Sequence, residues 1–349
     1  MNNHKFNHIW YLKDKYPSQG IKKHNLKVFG TFICGGGSSM GYKLAGFEHL
    51  GGVEIDPLIA DFYKTNHNPK YLFVEDIRKF VKRNEFPEDL MNLDILEGSP
   101  PCSSFSMSGN REKDWGKEKV FREGQAMQKL DDLFFDYILL AEKLQPKVVI
   151  AENVKGLLQG NAKNYVHKIK AGFENAGYKV QLFLLNAASM GVPQRRERVF
   201  FICQREDLNL PKLKLNFDEI PINYGEIRIN GLKDKNFTEY DINLWNHRLK
   251  SDRNYSDILE RIENRCSNWN VIIVHDNEVC GTIVSSSRQV SFTEPKQLCD
   301  DELKMIGTYP LDYDFKNMKP KYLIGMSVPP VMMAQISHQI YLQWFKNIA

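Results

Sequence analysis

A chain of 349 residues is longer than one simple core needs, and points either to a large α/β domain or to one large and one small domain. Its 42% hydrophobic and 26% charged residues are ordinary for a globular protein, and a net charge of +4 permits a polyanionic partner without demanding one. The cysteines are scattered with no CxxC pair, which excludes the usual zinc and disulfide patterns and leaves reduced thiols in a cytoplasmic setting as the expectation; no apolar run has signal-peptide or membrane-spanning character.

Residues 1–25 form a polar, aromatic and lysine-bearing preamble. "LKVFGTFI" (26–33) reads as a buried strand followed by the glycine cluster "CGGGSSMG", and "YKLAGFEHL" (42–50) as a helix. "GGVEID" (51–56) is a second strand, "PLIADFYKTNH" (57–67) a helix, and "YLFVEDI" (71–77) a third strand. "LDILEGSPPC" (93–102) is a fourth strand, and "DDLFFDYILLAEKLQ" (131–145) carries apolar residues at helical spacing. "KVVIAENV" (147–154) is a fifth strand, "YVHKIKAGFENAGY" (165–178) a helix, and "KVQLFLLNA" and "RVFFICQR" are further strands. Such alternation predicts an α/β fold, a doubly wound and mostly parallel sheet covered on both faces. Between about 206 and 290 the chain becomes polar and irregular, which predicts a second, smaller domain. The apolar end, with Pro329 and Pro330 placed to start a helix, is expected to pack back onto the large one.

Ligands of open α/β sheets bind beyond the carboxyl ends of the strands, and the chemically informative residues fall there. Glycines after a first strand allow close backbone approach to a ligand, although Gly35, Gly37 and Gly41 are spaced G-x-G-x-x-x-G rather than as a dinucleotide fingerprint. Glu54 can accept the hydroxyls of a ribose, and Asp76 an amino group such as that of adenine; together they describe a nucleoside cofactor, and no phosphate-cradling loop is present. Each acid alone could equally be a solvated strand end. Cys102 follows Pro100 and Pro101 where the chain leaves the core: a stiff mount for a nucleophilic thiol, ahead of a serine-rich, mixed-charge segment (103–123) suited to act as a lid. Glu152 ends the next strand as a candidate acid, base or anchor, or a structural carboxylate. In "PQRRERVFFI", strand alternation would place Gln194, Arg196 and Arg198 on one face, fit to orient a carboxylate or a base carbonyl, or to form a surface ion-pair ladder.

Taken together and in order, these segments resemble the cytosine-C5 DNA methyltransferases. "FICGGGSSMG", "GGVEID", "EDI" (75–77), "GSPPCSSFS", "AENV", "PQRRER", "RQVSFTEPKQLCDDELKMIGTYPLDYDF" and "GMSVPP" each look like a family motif, over nearly the whole chain outside residues 1–25 and the variable middle. The resemblance implies a methyltransferase-type Rossmann-like sheet with a target-recognition domain: residues 1–205 catalytic and cofactor-binding, 206–318 target-recognising, and 319–349 returning to the catalytic domain. It implies S-adenosyl-L-methionine as cofactor, with Phe32, Gly35, Gly36, Gly37, Glu54, Ile55, Asp76, Ile77, Pro101, Ser327 and Val328 around it. It implies Cys102 as the nucleophile toward a flipped cytosine, Glu152 as the proton donor, Arg198 at the base's O2, and Arg196 supporting the carboxylate and nearby backbone. The partner so implied is double-stranded DNA, bound by a monomer without a metal or a membrane. In a restriction–modification setting, a cognate endonuclease would act on the same site. Cys34 stands where the family has glycine, and Met326 where it has asparagine. The alternatives are the RNA-modifying branch, whose Cys-Phe-Thr signature is absent; a catalytically silent DNA-binding relative; and a nicotinamide oxidoreductase, for which the glycine spacing is wrong.

Overall fold

The computed structural model describes residues 4–16, 20–101, 133–159, 162–231, 237–265 and 271–347, and Cys102 with the 103–123 segment lies outside them. The chain forms two compact units, one of residues 16–186, 197–216 and 333–349, the other of residues 1–15, 187–196 and 217–332.

The first unit holds seven strands: β1 Lys27–Thr31, β2 Glu48–Glu54, β3 Tyr71–Val74, β4 Ile95–Gly98, β5 Val148–Val154, β6 Tyr178–Asn186 and β7 Glu197–Arg205. They make one sheet in the order β3-β2-β1-β4-β5-β7-β6. The first five are mutually parallel, and β7 runs antiparallel to both β5 and β6. The expectation of a mostly parallel α/β sheet is met, with β7 as the one reversed strand. Helices α1 Gly37–Leu44, α2 Pro57–His67, α3 Ile77–Phe80, α4 Glu88–Met91, α5 Leu133–Leu144 and α6 Ala162–Asn175 connect the strands.

Apolar runs with no alternation suit strands covered on both sides: Val28, Phe29, Ile95, Leu96, Val148 and Val149 are all fully buried. One face packs on α5 and α6 through Phe29, Leu96, Phe134, Tyr137, Val149, Phe173 and Phe201. The Tyr137 hydroxyl lies against the carbonyls of Leu96 (3.0 Å) and Ile150 (2.9 Å), pinning α5 across β4 and β5. Gly98 is obligatory beside it, because a Cβ there would stand 2.4 Å from Thr31 Oγ1 and 2.8 Å from the Tyr137 ring.

Several boundaries differ from the sequence reading: β2 is Glu48–Glu54 rather than 51–56, β3 stops at Val74 rather than 77, α6 is Ala162–Asn175 rather than 165–178, and α1 is displaced. The helix expected over 42–50 is instead α1 at Gly37–Leu44, and Glu48–Leu50 begin β2. Gly46, at φ +93°, turns the chain between them, so that the apolar residues of "AGFEHL" divide between a helix end and a strand start.

The second unit contains α7 Glu239–Asn246, α8 Tyr255–Glu263, the parallel pair β8 Val271–Val274 and β9 Arg288–Ser291, α9 Asp300–Ile306 and α10 Pro320–Met326. Capping boxes start α7, α8 and α9 at Thr238, Asn254 and Cys299. A small core of Leu244, Tyr255, Ile258, Leu259, Val271, Ile273 and Val290 joins α7 and α8 to the strand pair. The N-terminal preamble belongs here: Trp10 Nε1 donates to Thr308 O (2.8 Å), and Asp312 accepts from the amides of Leu12 and Lys13.

A last helix, α11, spans Pro330–Gln343. Residues 333–349 are grouped with the sheet, where Trp344 Nε1 donates to Pro211 O (2.8 Å) and the Tyr341 ring stacks on His24 (3.6 Å).

Candidate active site

The carboxyl ends of β1 to β5 and the amino end of β7 share one edge of the sheet. After β1 the backbone coils through three left-handed residues, Phe32 (φ 55°), Cys34 (φ 46°) and Gly36 (φ 76°), before α1 begins at Gly37. Gly36 has no room for a side chain, since a Cβ would lie 2.2 Å from His67 Nε2. Glu54, at the end of β2, holds this loop: one carboxylate oxygen accepts the Cys34 amide and the other the Asp56 amide, both at 3.0 Å. Burial pushes the Glu54 carboxyl above its ordinary range, and the backbone donors partly offset that. Ile55 next to it is exposed, and Asp56 caps α2 by accepting from Leu58 and Ile59. Asp76 caps α3 and pairs with Arg78 (2.6 Å); desolvation works against its charge, but the Arg78 contacts prevail and lower its pKa. Ile77 is buried behind it. Phe32, Gly35–Gly37, Glu54, Ile55, Asp76 and Ile77 thus lie along one strand-end edge.

Further along that edge β4 leads to Pro100 and Pro101. Asn153 Nδ2 donates to Pro100 O (3.1 Å), tying the residue after Glu152 to the stem of Cys102. Register explains how: Gly98 pairs with Ala151, so the segments leaving β4 and β5 depart side by side. Val154 pairs with Arg198 on β7. Glu152 and Arg198 then meet with Nε 2.9 Å from Oε1, both side chains mostly buried. Burial draws the Arg198 pKa down and the Glu152 carboxylate partly restores it. Lys155 and Glu197 form a more exposed pair beside them (2.8 Å).

The arginines of "PQRRER" do not share one strand face. β7 begins only at Glu197, so alternation does not reach Gln194 and Arg196. Within the second unit Arg195 N–H donates to Cys280 O (2.8 Å), and Gln194 bonds Ile283 N–H and Ile306 O. Arg196, buried, donates to the carbonyls of Ile283 (3.1 Å) and Gly325 (2.9 Å). In the same unit Ser327 accepts the Tyr309 hydroxyl (2.7 Å) and Val328 is buried, whereas Met326 is exposed.

Sequence reasoning passed over Glu97. It is buried on β4, directly ahead of Gly98, and burial together with the charge of Glu152 pushes its pKa up to about 8. The available signal is an acid inside an apolar strand, "DILEG", on the approach to Pro-Pro-Cys. Among the described residues no group of side chains could hold a metal ion, and no helix is long and apolar enough to cross a membrane.

Known proteins match this arrangement. The chain is 36% identical over 189 residues to the Type II methyltransferase M.NgoPII of Neisseria gonorrhoeae, an overlap of 53% of this chain and 50% of that one. The chain spans about half the length of the curated relatives it matches. In structure it resembles a prophage-encoded E. coli protein (TM-score 0.65, 20% identity, 91% of this chain and 99% of that one). It also resembles a mutant of Spodoptera frugiperda DNMT2 (TM-score 0.63, 18% identity, 91% and 100%). These two likenesses establish the fold. The family model for C-5 cytosine-specific DNA methylases matches residues 26–342, and the chain therefore belongs to that family.

Proposed function

We propose that the protein transfers a methyl group from S-adenosyl-L-methionine to carbon 5 of a cytosine in double-stranded DNA. The observation that carries this reading is the meeting of the Cys102 stem with the Glu152–Arg198 pair at one strand end, through the Asn153–Pro100 hydrogen bond. Family membership and the Type II methyltransferase names of its relatives support the same activity.

The donor set fits the cofactor's chemistry. Carboxylates at the ends of β2 and β3, Glu54 and Asp76, suit ribose hydroxyls and an adenine amino group, and the left-handed turn at 32–36 brings backbone close to a ligand. Phe32, Gly35, Gly36, Gly37, Ile55, Ile77 and Pro101 would line that edge. When bound, the cofactor supplies an electrophilic methyl group.

Carbon 5 of cytosine is a poor nucleophile within its aromatic ring. Addition of the Cys102 thiolate at carbon 6 breaks the aromaticity and makes carbon 5 enamine-like. Negative charge grows on ring nitrogen 3 as this bond forms, and Glu152 donates the proton that neutralises it. Arg198 holds Glu152 and the base's O2, while Arg196 secures the backbone at Ile283 and Gly325. Loss of the carbon-5 proton and expulsion of the Cys102 sulfur restore the ring. The base has to leave its helix first, at a cost of roughly a few kcal/mol. We assign target recognition to residues 206–318.

The test is a trapping reaction. Duplex DNA carrying 5-fluorocytosine at the target cytosine cannot lose the group at carbon 5, so wild-type protein with methyl donor is expected to form a stable covalent adduct through Cys102, seen by denaturing gel and peptide mass mapping. Cys102→Ala is expected to form none while still binding DNA. Transfer without any adduct would overturn the reading.

A further inference from the structure

The end of β3 carries two acids in a row, Glu75 and Asp76, and each meets an arginine from just downstream. Arg83 takes Glu75, with Nε 3.0 Å from Oε1. Arg78 takes Asp76 with the side of its guanidinium: Nη2 lies 2.6 Å from Oδ2, and Nε sits between the two oxygens, 3.0 Å from Oδ1 and 3.1 Å from Oδ2. The Arg78 backbone amide donates to Oδ1 as well (2.8 Å). Residues two apart do not face each other along a helix. These two meet because Asp76 stands outside α3 as its N-cap, in extended backbone, while Arg78 is in the first turn.

A carboxylate offers about four acceptor sites, two on each oxygen. Oδ1 receives the Arg78 amide and Nε, and is filled. Oδ2 receives Nη2 and only the longer arm of Nε, so among the described residues one acceptor site remains, and it is on Oδ2. The guanidinium also keeps the carboxyl ionised: desolvation, the largest influence on Asp76, works against its charge, and the Arg78 contacts overcome it. Asp76 therefore presents one fixed, charged acceptor and no donor. Stability does not account for the pair. The Asp76 side chain is 20% exposed and that of Arg78 38%, and ion pairs this open to water contribute little to folding.

An exocyclic amine brings an N–H to such a site, whereas a ring carbonyl at the same position brings an oxygen that the carboxylate repels. Resting on the cofactor placement proposed above, we propose that Arg78 is a positioning residue acting through Asp76: by filling Oδ1 and aiming Oδ2, it makes the cofactor edge select a 6-amino purine over a 6-oxo purine. The selection is exerted by the carboxylate; Arg78 fixes its angle and its charge.

The experiment is calorimetric titration of the whole chain with S-adenosyl-L-homocysteine and with S-inosyl-L-homocysteine, whose bases carry an amino group and an oxygen, respectively, at position 6. The quantity read is the ratio of the two dissociation constants, which a general loosening of the site leaves unmoved because it weakens both ligands alike. The wild type is expected to favour the adenine ligand by roughly thirtyfold or more, the worth of one hydrogen bond to a charged group. Arg78→Met keeps an apolar stem and removes the guanidinium; the ratio is expected to narrow by about tenfold while the melting curve stays in place. A ratio unchanged or widened, or equal weakening of both ligands, would overturn the proposal. Should Arg78→Met fail to fold by circular dichroism, Arg78→Lys decides: a point charge does not bridge both oxygens, so the ratio is again expected to narrow, by at least about threefold, and a wild-type ratio overturns the proposal. Asp76→Asn, which still caps α3, separates the inference from the reading beneath it. Its amide can turn a donor toward an oxygen, so the ratio is expected to collapse. Collapse in Asp76→Asn with a wild-type ratio in Arg78→Met sinks the inference alone. A wild-type ratio in Asp76→Asn, or wild-type protein that binds neither ligand, sinks the cofactor placement and this inference with it.

Discussion

Cys34 shows how much one residue can carry at the cofactor edge. It occupies φ 46°, in the left-handed region, where its family resemblance places a glycine. A side chain there costs about 1–2 kcal/mol relative to glycine's freedom, less the roughly 0.5–1 kcal/mol that glycine loses on folding. Cys34→Gly is therefore expected to stabilise the protein by up to about 1 kcal/mol, raising the melting temperature by up to roughly 1.5 °C. Differential scanning calorimetry checks it, and a destabilised variant would show that the thiol packs better than the backbone suffers. The amide of this residue is fastened by Glu54 in either case, so the loop is held from the strand end and not by the side chain at 34. At this scale the sequence was legible where chemistry and position agree, as for Glu152 and Arg198. It was silent on Glu97, because burial decides that residue's charge and no local pattern announces burial of an acid.

At the scale of elements, the start of α9 carries the most demanding electrostatics of the second unit. Glu302, fully buried, accepts from Lys296 Nζ (2.9 Å), the Tyr224 hydroxyl (3.0 Å), the Ile229 amide (2.9 Å) and the Cys299 amide (2.8 Å). A buried ion pair adds little net stability, yet breaking it strands the remaining charge. Lys296→Met is expected to destabilise the protein by about 3–5 kcal/mol, read as a lowered midpoint in urea. A midpoint within error of the wild type would mean that the three neutral donors suffice for Glu302. The segment containing this pair resembles a family motif in sequence, but the pair itself is not legible there, since Lys296 and Glu302 read as two of many surface charges. Helix α1 was misplaced for a related reason. A helix opening on Gly37, Ser38 and Ser39 lacks the composition of a helix start, and it is the left-handed Gly36 that caps it.

For the whole molecule, strand count, parallel direction and the strand-end location of the site followed from alternation and apolar run length, because those patterns are local. The partition into units did not, because residues 1–15 and 187–196 join residues far from them in sequence. If DNA is the substrate, binding has to neutralise backbone phosphates despite a net charge of only +4. Affinity is then expected to fall by about 0.9 log unit per log unit of salt for each phosphate contacted. Fluorescence anisotropy across a salt series measures the slope, and a flat response would exclude DNA. One feature of the sheet reaches into biosynthesis. β7 is made after β6 yet sits between it and β5. The edge of β5 has to wait, unpaired, while the chain travels outward through β6 and comes back, since β6 docking there first would occupy the seat of Arg198. A polypeptide still emerging from the ribosome accordingly has Glu152 before it has the arginine that pairs with it, and the hairpin of the last two strands arrives as the step that completes the pair.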